Sequence, residues 1–420
     1  MSVIHMQHTS KLIKGSLSSL LEGKSIALCI TGSVAAVECV ALSRTLMRHG
    51  AEVYTIMSSA GQKIIHPHLM EWATGNQIVT ELTGQIEHVT LAGKHKDHVD
   101  LILVAPSTAN TIGKIANGID DTPVTTTVSS GIGAKIPVVI VPAMHQSMYD
   151  HPAVMDNIAK LRDIGVHVMA PRMEEAKAKI PTVSSIVDYV IGVLGPQDLV
   201  GRHFLITAGP TRGWIDRVRF ITNPSTGKMG IAVAQEVIAR GGDVTLILGP
   251  TSLDGPEYAD IVHVETSQDM LDAVLDTLNN HNVDVFVSAA AVLDYIPKTK
   301  VDKKMPSGKD SLTVELEPTK KIIEEARKHH PELYIVGFKV ESGVSDEELE
   351  KRARKKIETG ICNMVVANDA LRKGVAFGTD TNQVLIVGPE DILETELASK
   401  RDIARTIVDE IVRRYPNKSH

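Results

Sequence analysis

Aromatic residues are scarce: two Trp, seven Tyr and five Phe make up 3% of 420 residues. So few rings leave little material for base-stacking platforms. Long basic runs are missing as well. With 44 Lys plus Arg against 51 Asp plus Glu, the net charge is −7, which argues against a nucleic-acid carrier. Cys29, Cys39 and Cys362 are the only cysteines and form no C-x-x-C pair, so neither a disulfide framework nor a zinc ribbon is expected. No apolar run reaches membrane-spanning length, and residues 1–21 lack the compact apolar core of a signal peptide. A G-x-G-x-x-G turn is absent, which counts against a dinucleotide redox protein, and the glycines before Gly227-Lys228 are wrongly spaced for a Walker A loop. What remains is ordinary globular composition, 43% hydrophobic and 23% charged, long enough for two or three domains. The expectation is a cytoplasmic enzyme with no membrane or nucleic-acid partner.

The chain reads as two similar units. Apolar runs at 25–30, 52–57, 100–106 and 137–143 alternate with helix-like segments, and the plan restarts with runs at 204–207, 243–248 and 284–290. Short buried strands alternating with helices of ten or more residues make βαβ units, which build parallel sheets covered on both faces. The predicted fold is therefore α/β, with two doubly wound parallel-sheet domains. Residues 1–20 are expected to be a mobile or partner-bound extension. The domains are placed at 21–191 and 202–420, divided by a linker at 192–201 that holds three glycines and a proline. In such sheets ligands sit beyond the carboxyl ends of the strands, so the residues following each run are the candidates.

In the first unit these are Thr31, Gly32 and Ser33, then Ser58, then Ser107, Thr108 and Asn110. Hydroxyls and free amides at strand-to-helix turns suit a phosphate, although a merely tight turn explains any one of them alone. The motifs Thr31-Gly-Ser-Val-Ala-Ala36, Ile86-Glu-His-Val-Thr90, Ala105-Pro-Ser-Thr-Ala-Asn-Thr111 and Val141-Pro-Ala-Met-His145 resemble the flavin-dependent cysteine decarboxylases. That resemblance covers about 24–190 and implies a flavodoxin-like fold binding FMN at trimer interfaces through the seven residues above. It also implies that His88 assists oxidation of a substrate thiol by the flavin; CO2 loss from the resulting thioaldehyde then leaves a delocalised thioenolate. Two positions depart from the pattern. His145 stands where the family usually has an asparagine that binds the substrate carboxylate; a ring N–H can replace it. The flap segment 171–181 lacks the usual cysteine, so Lys177 or Lys179 is expected to close over the substrate and supply the proton. Both departures resemble archaeal members of the family. A solvated charge run is the plain alternative.

In the second unit, Arg219-Phe-Ile-Thr-Asn-Pro-Ser-Thr-Gly-Lys-Met-Gly230 joins an arginine, small hydroxylated residues and a Gly-Lys pair to the start of an apolar helix. Such a segment binds anionic, phosphorylated ligands. With Thr207-Ala-Gly-Pro-Thr-Arg212, Ala290-Ala-Val-Leu-Asp-Tyr295, Gly337-Phe-Lys-Val-Glu341, Ala367-Asn-Asp369 and Phe377-Gly-Thr-Asp-Thr-Asn382, it resembles phosphopantothenate–cysteine ligase to about residue 413, a Rossmann-like domain. Joined to the flavin half, the chain is identified as a member of the bifunctional coenzyme A biosynthesis family.

The chemistry this implies is activation of 4′-phosphopantothenate by CTP to an acyl-cytidylate, attack by the amine of cysteine, then decarboxylation to 4′-phosphopantetheine. Bringing a carboxylate to an α-phosphate requires Mg2+ and cationic side chains; no metal ligand is assigned. By resemblance Asn223 and Arg219 serve the acyl side, with Asn223 on the acyl carbonyl. Gly227, Lys228, Asp294, Lys304 and Phe338 bind the nucleotide. Lys304 is chosen over Lys303 because it lies ten residues after Asp294. Lys321, Lys355 and Lys356 fall near charged family positions and are not assigned. Nothing in the residues distinguishes cytosine from adenine. The resemblance further implies a homo-oligomer, decarboxylase trimers joined by ligase dimers into a dodecamer. The alternative reading is an active ligase whose flavin half is a non-catalytic scaffold.

Overall fold

The computed structural model describes residues 8–174, 177–299, 301, 312–375 and 378–415. The chain divides into two compact units, Met1–Gly195 and Pro196–His420.

In the first unit, strands β1 (Ser25–Ile30), β2 (Glu52–Met57), β3 (Leu101–Ser107) and β4 (Val138–Pro142) are followed by the short β5 (Met144–His145) and β6 (His167–Val168). All but β5 form a parallel five-stranded sheet in the order β2-β1-β3-β4-β6. Such near-continuous apolar runs are what a sheet buried on both faces demands. One face packs α5 (Ala109–Ala116), α6 (Pro123–Ala134) and α8 (Pro152–Asp163) through Ile112, Val128, Ile158 and Leu161. On α1 (Cys39–Arg48), Leu42 and Leu46 are fully buried, and this helix packs against α3 (Pro67–Thr74) and α9 (Val183–Leu194). Short helices α2 (Ser59–Gln62), α4 (Glu87–Ala92) and α7 (Gln146–Tyr149) lie in the connections. Strands β7 (Arg172–Glu174) and β8 (Lys177–Lys179) pair antiparallel, and β8 adds to β5. Residues 8–20, expected as an extension, pack onto this unit. Lys11 and Lys14 bind Glu52 at 2.6 and 3.0 Å, and Ser18 meets His49 at 2.6 Å.

The second unit contains β9 (His203–Ala208), the hairpin β10 (Arg212–Trp214) and β11 (Phe220–Thr222), β12 (Asp243–Leu248), β13 (Asp260–His263) and β14 (Val285–Ser288). Then come β15 (Tyr295–Pro297), β16 (Leu316–Pro318), β17 (Tyr334–Glu341), β18 (Met364–Asp369), β19 (Thr381–Asn382), β20 (Leu385–Val387), β21 (Ile392–Glu394) and β22 (Ala398–Ser399). Eight strands make one sheet in the order β13-β12-β9-β14-β17-β18-β20-β21. Its first six are parallel, and their order is the doubly wound 3-2-1-4-5-6 arrangement. Helices α10 (Lys228–Ala239) and α14 (Lys400–Arg414) share one core cluster. Helices α11 (Ser267–Asn280), α12 (Ile322–His329) and α13 (Asp346–Glu358) share the other.

The expected parallel sheet acquires two antiparallel strands, β20 and β21. Between β18 and β20 the described residues contain no helix, and without a crossover the chain can only return antiparallel. Helix α10 starts tight against β9: a Cβ on Gly230 would lie 2.6 Å from that of Ala208. Gly230→Val is expected to destabilise this unit by about 1–3 kcal/mol, read as a lower denaturant midpoint.

Candidate active sites

The first unit has the strand order β2-β1-β3-β4-β6, and the strand order reverses between β1 and β3, where a ligand is expected beyond the carboxyl ends. Six of the seven predicted cofactor residues sit at the carboxyl ends of strands or in the turns that follow them. Thr31 Oγ1 donates to Pro106 O at 2.7 Å and accepts from the Thr108 amide at 3.3 Å, tying the two turns together. Ser33 Oγ donates to Ala143 O at 3.2 Å, which brings the β1 turn to within two residues of His145. Ser58 caps α2 by accepting from the Gly61 amide at 3.1 Å, and Thr108 caps α5. A Cβ on Gly32 would lie 2.5 Å from that of Ala60, so the backbone passes too close for any larger residue. Asn110 is exposed in the first turn of α5.

Ser107 differs from the rest. It is wholly buried and its hydroxyl has no partner among the described residues. An unpaired buried hydroxyl costs about 1–3 kcal/mol, and a ligand oxygen beyond the strand end would remove that cost. The residues present therefore fit a flavin mononucleotide. Thr31, Gly32, Ser33 and Ser58 would shape its cradle, and Ser107 would donate to it.

His88 stands apart on α4, and no described hydrogen bond joins it to these turns. It is half-buried, with Nδ1 buried and unpartnered. Two residues earlier Ile86, the N-cap of α4, adopts φ 49° and ψ 49°. A β-branched residue in the left-handed region is strained, and such strain gathers where a side chain must be aimed. His145 is exposed at the end of β5, and the register of β5 and β8 sets it opposite Lys177. Lys179 pairs with Arg172 in the same small sheet.

In the second unit the strand order reverses between β9 and β14. A cavity of about 660 Å³ opens there, lined by the start of α10 and by the backbone after β14. That backbone is pinned: Ala290 N donates to Thr207 Oγ1 at 3.3 Å, Ala291 N to Gly209 O at 2.9 Å and Leu293 N to Thr211 Oγ1 at 3.0 Å. Asn223 lines the cavity and spends its amide group on Ala291 O (3.0 Å) and Val292 O (3.3 Å). Two carbonyl acceptors require the NH2 on that side, so Oδ1, an acceptor, is the atom left for a ligand. Gly227 enters α10 at φ 79° without a side-chain cap, leaving first-turn amides open.

Six lysines line the cavity (Lys228, Lys320, Lys321, Lys339, Lys356 and Lys400) against two acids, Asp294 and Glu324. Asp294 is ion-paired to Lys321. Phe338 contributes to the wall while packing on the core. Burial, reinforced by Lys339 and Lys321, holds the Lys356 ammonium below its ordinary 10.5. Arg219 does not reach the wall. Asp216, fully buried, takes its guanidinium at 2.6 and 3.0 Å, and the same carboxylate accepts the amides of Val218 and Arg219. Lys304 lies outside the described residues.

A bound anion raises the Lys356 pKa. Binding of a polyphosphate is therefore expected to take up protons at pH values above that lowered pKa, and to weaken as pH rises there. Calorimetry in buffers of different ionisation enthalpy reads the uptake directly.

Comparison with known proteins gives two family matches: "Flavoprotein" over residues 14–195, and "DNA/pantothenate metabolism flavoprotein C-terminal domain" over 199–415. The "Coenzyme A biosynthesis bifunctional protein CoaBC" of Thermococcus kodakarensis is 50% identical over 407 residues, which is 97% of this chain and 99% of that protein. The protein of the same name from Bacillus subtilis is 36% identical over 412 residues, covering 93% and 97%. The chain belongs to the coenzyme A biosynthesis bifunctional protein family. Among solved structures, the C-terminal domain of a coenzyme A biosynthesis bifunctional protein is 37% identical, with a TM-score of 0.43, covering 52% of this chain and 97% of that one.

For a member of this family, several wall residues escaped the sequence reading. The backbone at 288–292 carried a usable signal, since it follows a strand at the reversal point. Lys400 carried none, and Lys356 only its nearness to a charged family position: single lysines on amphipathic helices look like solvated surface.

Proposed function

We propose that residues 196–420 activate 4′-phosphopantothenate with CTP and join it to cysteine, and that residues 1–195 decarboxylate the product. Family membership makes the chain a bifunctional enzyme of coenzyme A biosynthesis with a flavoprotein decarboxylase part and a ligase part. The observation that carries the ligase reading is the lysine-lined cavity at the β9/β14 reversal. Six ammonium groups offset the repulsion between a carboxylate and a triphosphate, which otherwise keeps the reactants apart. Mg2+ enters as the counter-ion of the triphosphate. Gly227, Lys228 and the α10 amides hold phosphate, Lys304 and Asp294 hold the nucleotide, and Phe338 lies against its base. The carboxylate oxygen attacks the α-phosphorus, pyrophosphate leaves, and the cysteine amine then displaces CMP from the acyl carbon. Asn223 Oδ1 accepts from that amine and aims its lone pair.

Carboxylate-18O-labelled substrate tests the acyl-nucleotide. Label in CMP supports it, whereas label in inorganic phosphate overturns it.

In the flavin unit, bound FMN supplies a two-electron acceptor for the substrate thiol. His88 takes the thiol proton through its unpartnered ring nitrogen, and His145 binds the carboxylate. Net, a proton replaces CO2. Lys177, set opposite His145 by strand register, or Lys179 delivers that proton. Lys177→Ala with Lys179→Ala is expected to slow single-turnover decarboxylation about a hundredfold; an unchanged rate removes the lysines from the mechanism.

No described helix is long and apolar enough to cross a membrane. We infer a cytoplasmic homo-oligomer, a trimer of dimers or dodecamer. Val34 (78% exposed) and Val37 (54%) beside the flavin turn, with Ile86 (52%) near His88, are apolar groups that subunit contact would cover.

A further inference from the structure

At one end of the ligase cavity two lysines arrive from different elements. Lys228 begins α10, and its Nζ pairs with Asp380 Oδ1 at 2.6 Å and donates to Gly378 O at 3.0 Å. Lys400 begins α14, and its Nζ donates to Thr379 O at 2.5 Å. Three consecutive residues, 378–380, therefore hold both ammonium groups. Their only carboxylate is poorly placed to neutralise two cations, because Asp380 is 89% exposed and water screens it. Lys400 is the more confined of the two. Burial and the charge of Lys228 both disfavour its ammonium, and Asp380 opposes them.

A third group points to a missing ligand. Asn382 lines the same end of the cavity and is 5% exposed. Its Oδ1 accepts from the Gln383 amide at 3.0 Å, but among the described residues its Nδ2 finds only the thioether of Met229 at 3.8 Å. A thioether is a weak acceptor, so a buried amide donor is left nearly unused beside two under-neutralised cations. A tetrahedral dianion meets all three needs at once. Its oxygens accept from both ammonium groups and from the amide, and its charge replaces that of Asp380.

We propose that Lys228, Lys400 and Asn382 form a phosphate-binding subsite, and that Asp380 is the competing anion a substrate phosphate displaces. The inference rests on reading this cavity as the ligase site. The phosphate is either the triphosphate tail of the nucleotide or the 4′-phosphate of the acyl substrate. Both present the same terminal dianion.

Calorimetric titration of the full chain with CTP, CMP, 4′-phosphopantothenate and pantothenate tests the subsite and names the source. Lys400→Met is expected to weaken one phosphate-bearing ligand about tenfold and to leave its truncated analogue unaffected. Loss confined to CTP and sparing CMP assigns the triphosphate tail; loss confined to 4′-phosphopantothenate and sparing pantothenate assigns the acyl substrate. Lys400→Arg restores part of the affinity. Asp380→Asn, which removes the competitor, tightens the same ligand about threefold, an increase that a merely structural role for the loop does not produce. If Lys400→Met fails to fold, Asp380→Asn decides alone: tightening supports the subsite, and unchanged or weaker binding overturns it. Equal losses for the phosphorylated and truncated ligands, or no loss in either pair, overturn it as well. A wild-type chain that binds neither CTP nor 4′-phosphopantothenate sinks the ligase reading itself, a result distinct from wild-type binding that the variants leave unaltered.

Discussion

Asn223→Ala is expected to leave nucleotide activation standing and to slow amide formation about a hundredfold. The two half-reactions separate because Asn223 makes two kinds of contact. Its NH2 braces the carbonyls of Ala291 and Val292, while its Oδ1 is the atom left to receive the amine that attacks the activated acyl carbon. Alanine removes the acceptor that orients the amine. The lysines on the wall remain, so CTP-dependent pyrophosphate exchange continues and the acyl-cytidylate accumulates when cysteine is supplied. Asn223→Asp is expected to be worse, because a carboxylate cannot donate to those two carbonyls and repels them. Quenched-flow mass analysis reads both steps in one experiment. Loss of pyrophosphate exchange in the alanine variant places Asn223 in activation instead.

His88→Gln is expected to reduce CO2 release about a thousandfold with ligation unaltered. The unpartnered Nδ1 of His88 is buried, so no neighbouring side chain replaces the base, and glutamine cannot take a proton. Flavin content of the purified variant is expected to match wild type, since Thr31, Ser33, Ser58 and Ser107 are untouched. A variant that loses its flavin together with its activity assigns His88 to cofactor retention. Supplying phosphopantothenoylcysteine directly isolates the flavin unit from the ligase step.

Much of the fold was legible because strand ends and glycines mark the βαβ plan. Apolar runs such as 25–30 and 243–248 match β1 and β12 residue for residue. The antiparallel β20 and β21 were not, since their direction depends on the lack of a crossover helix after β18 rather than on their own residues. At the sites, short-range motifs survived best: the turns at 31–33 and 107–108 converge through the Thr31 hydroxyl. Arg219 shows the limit of such reading. Its charge looked available for a ligand, yet its nearest obligation is Asp216, a carboxylate buried three residues away. Lys356 and Lys400 show the converse. Each lies far along the chain from the motif it serves, and only the closing of the sheet brings it to the cavity.

Two chemistries in one chain are tested most directly by incubating the purified protein with 4′-phosphopantothenate, cysteine, Mg2+ and CTP, and following products by mass together with released CO2. A working two-step enzyme yields 4′-phosphopantetheine, with one CO2 for each CMP formed. Phosphopantothenoylcysteine that accumulates without any 4′-phosphopantetheine would contradict it.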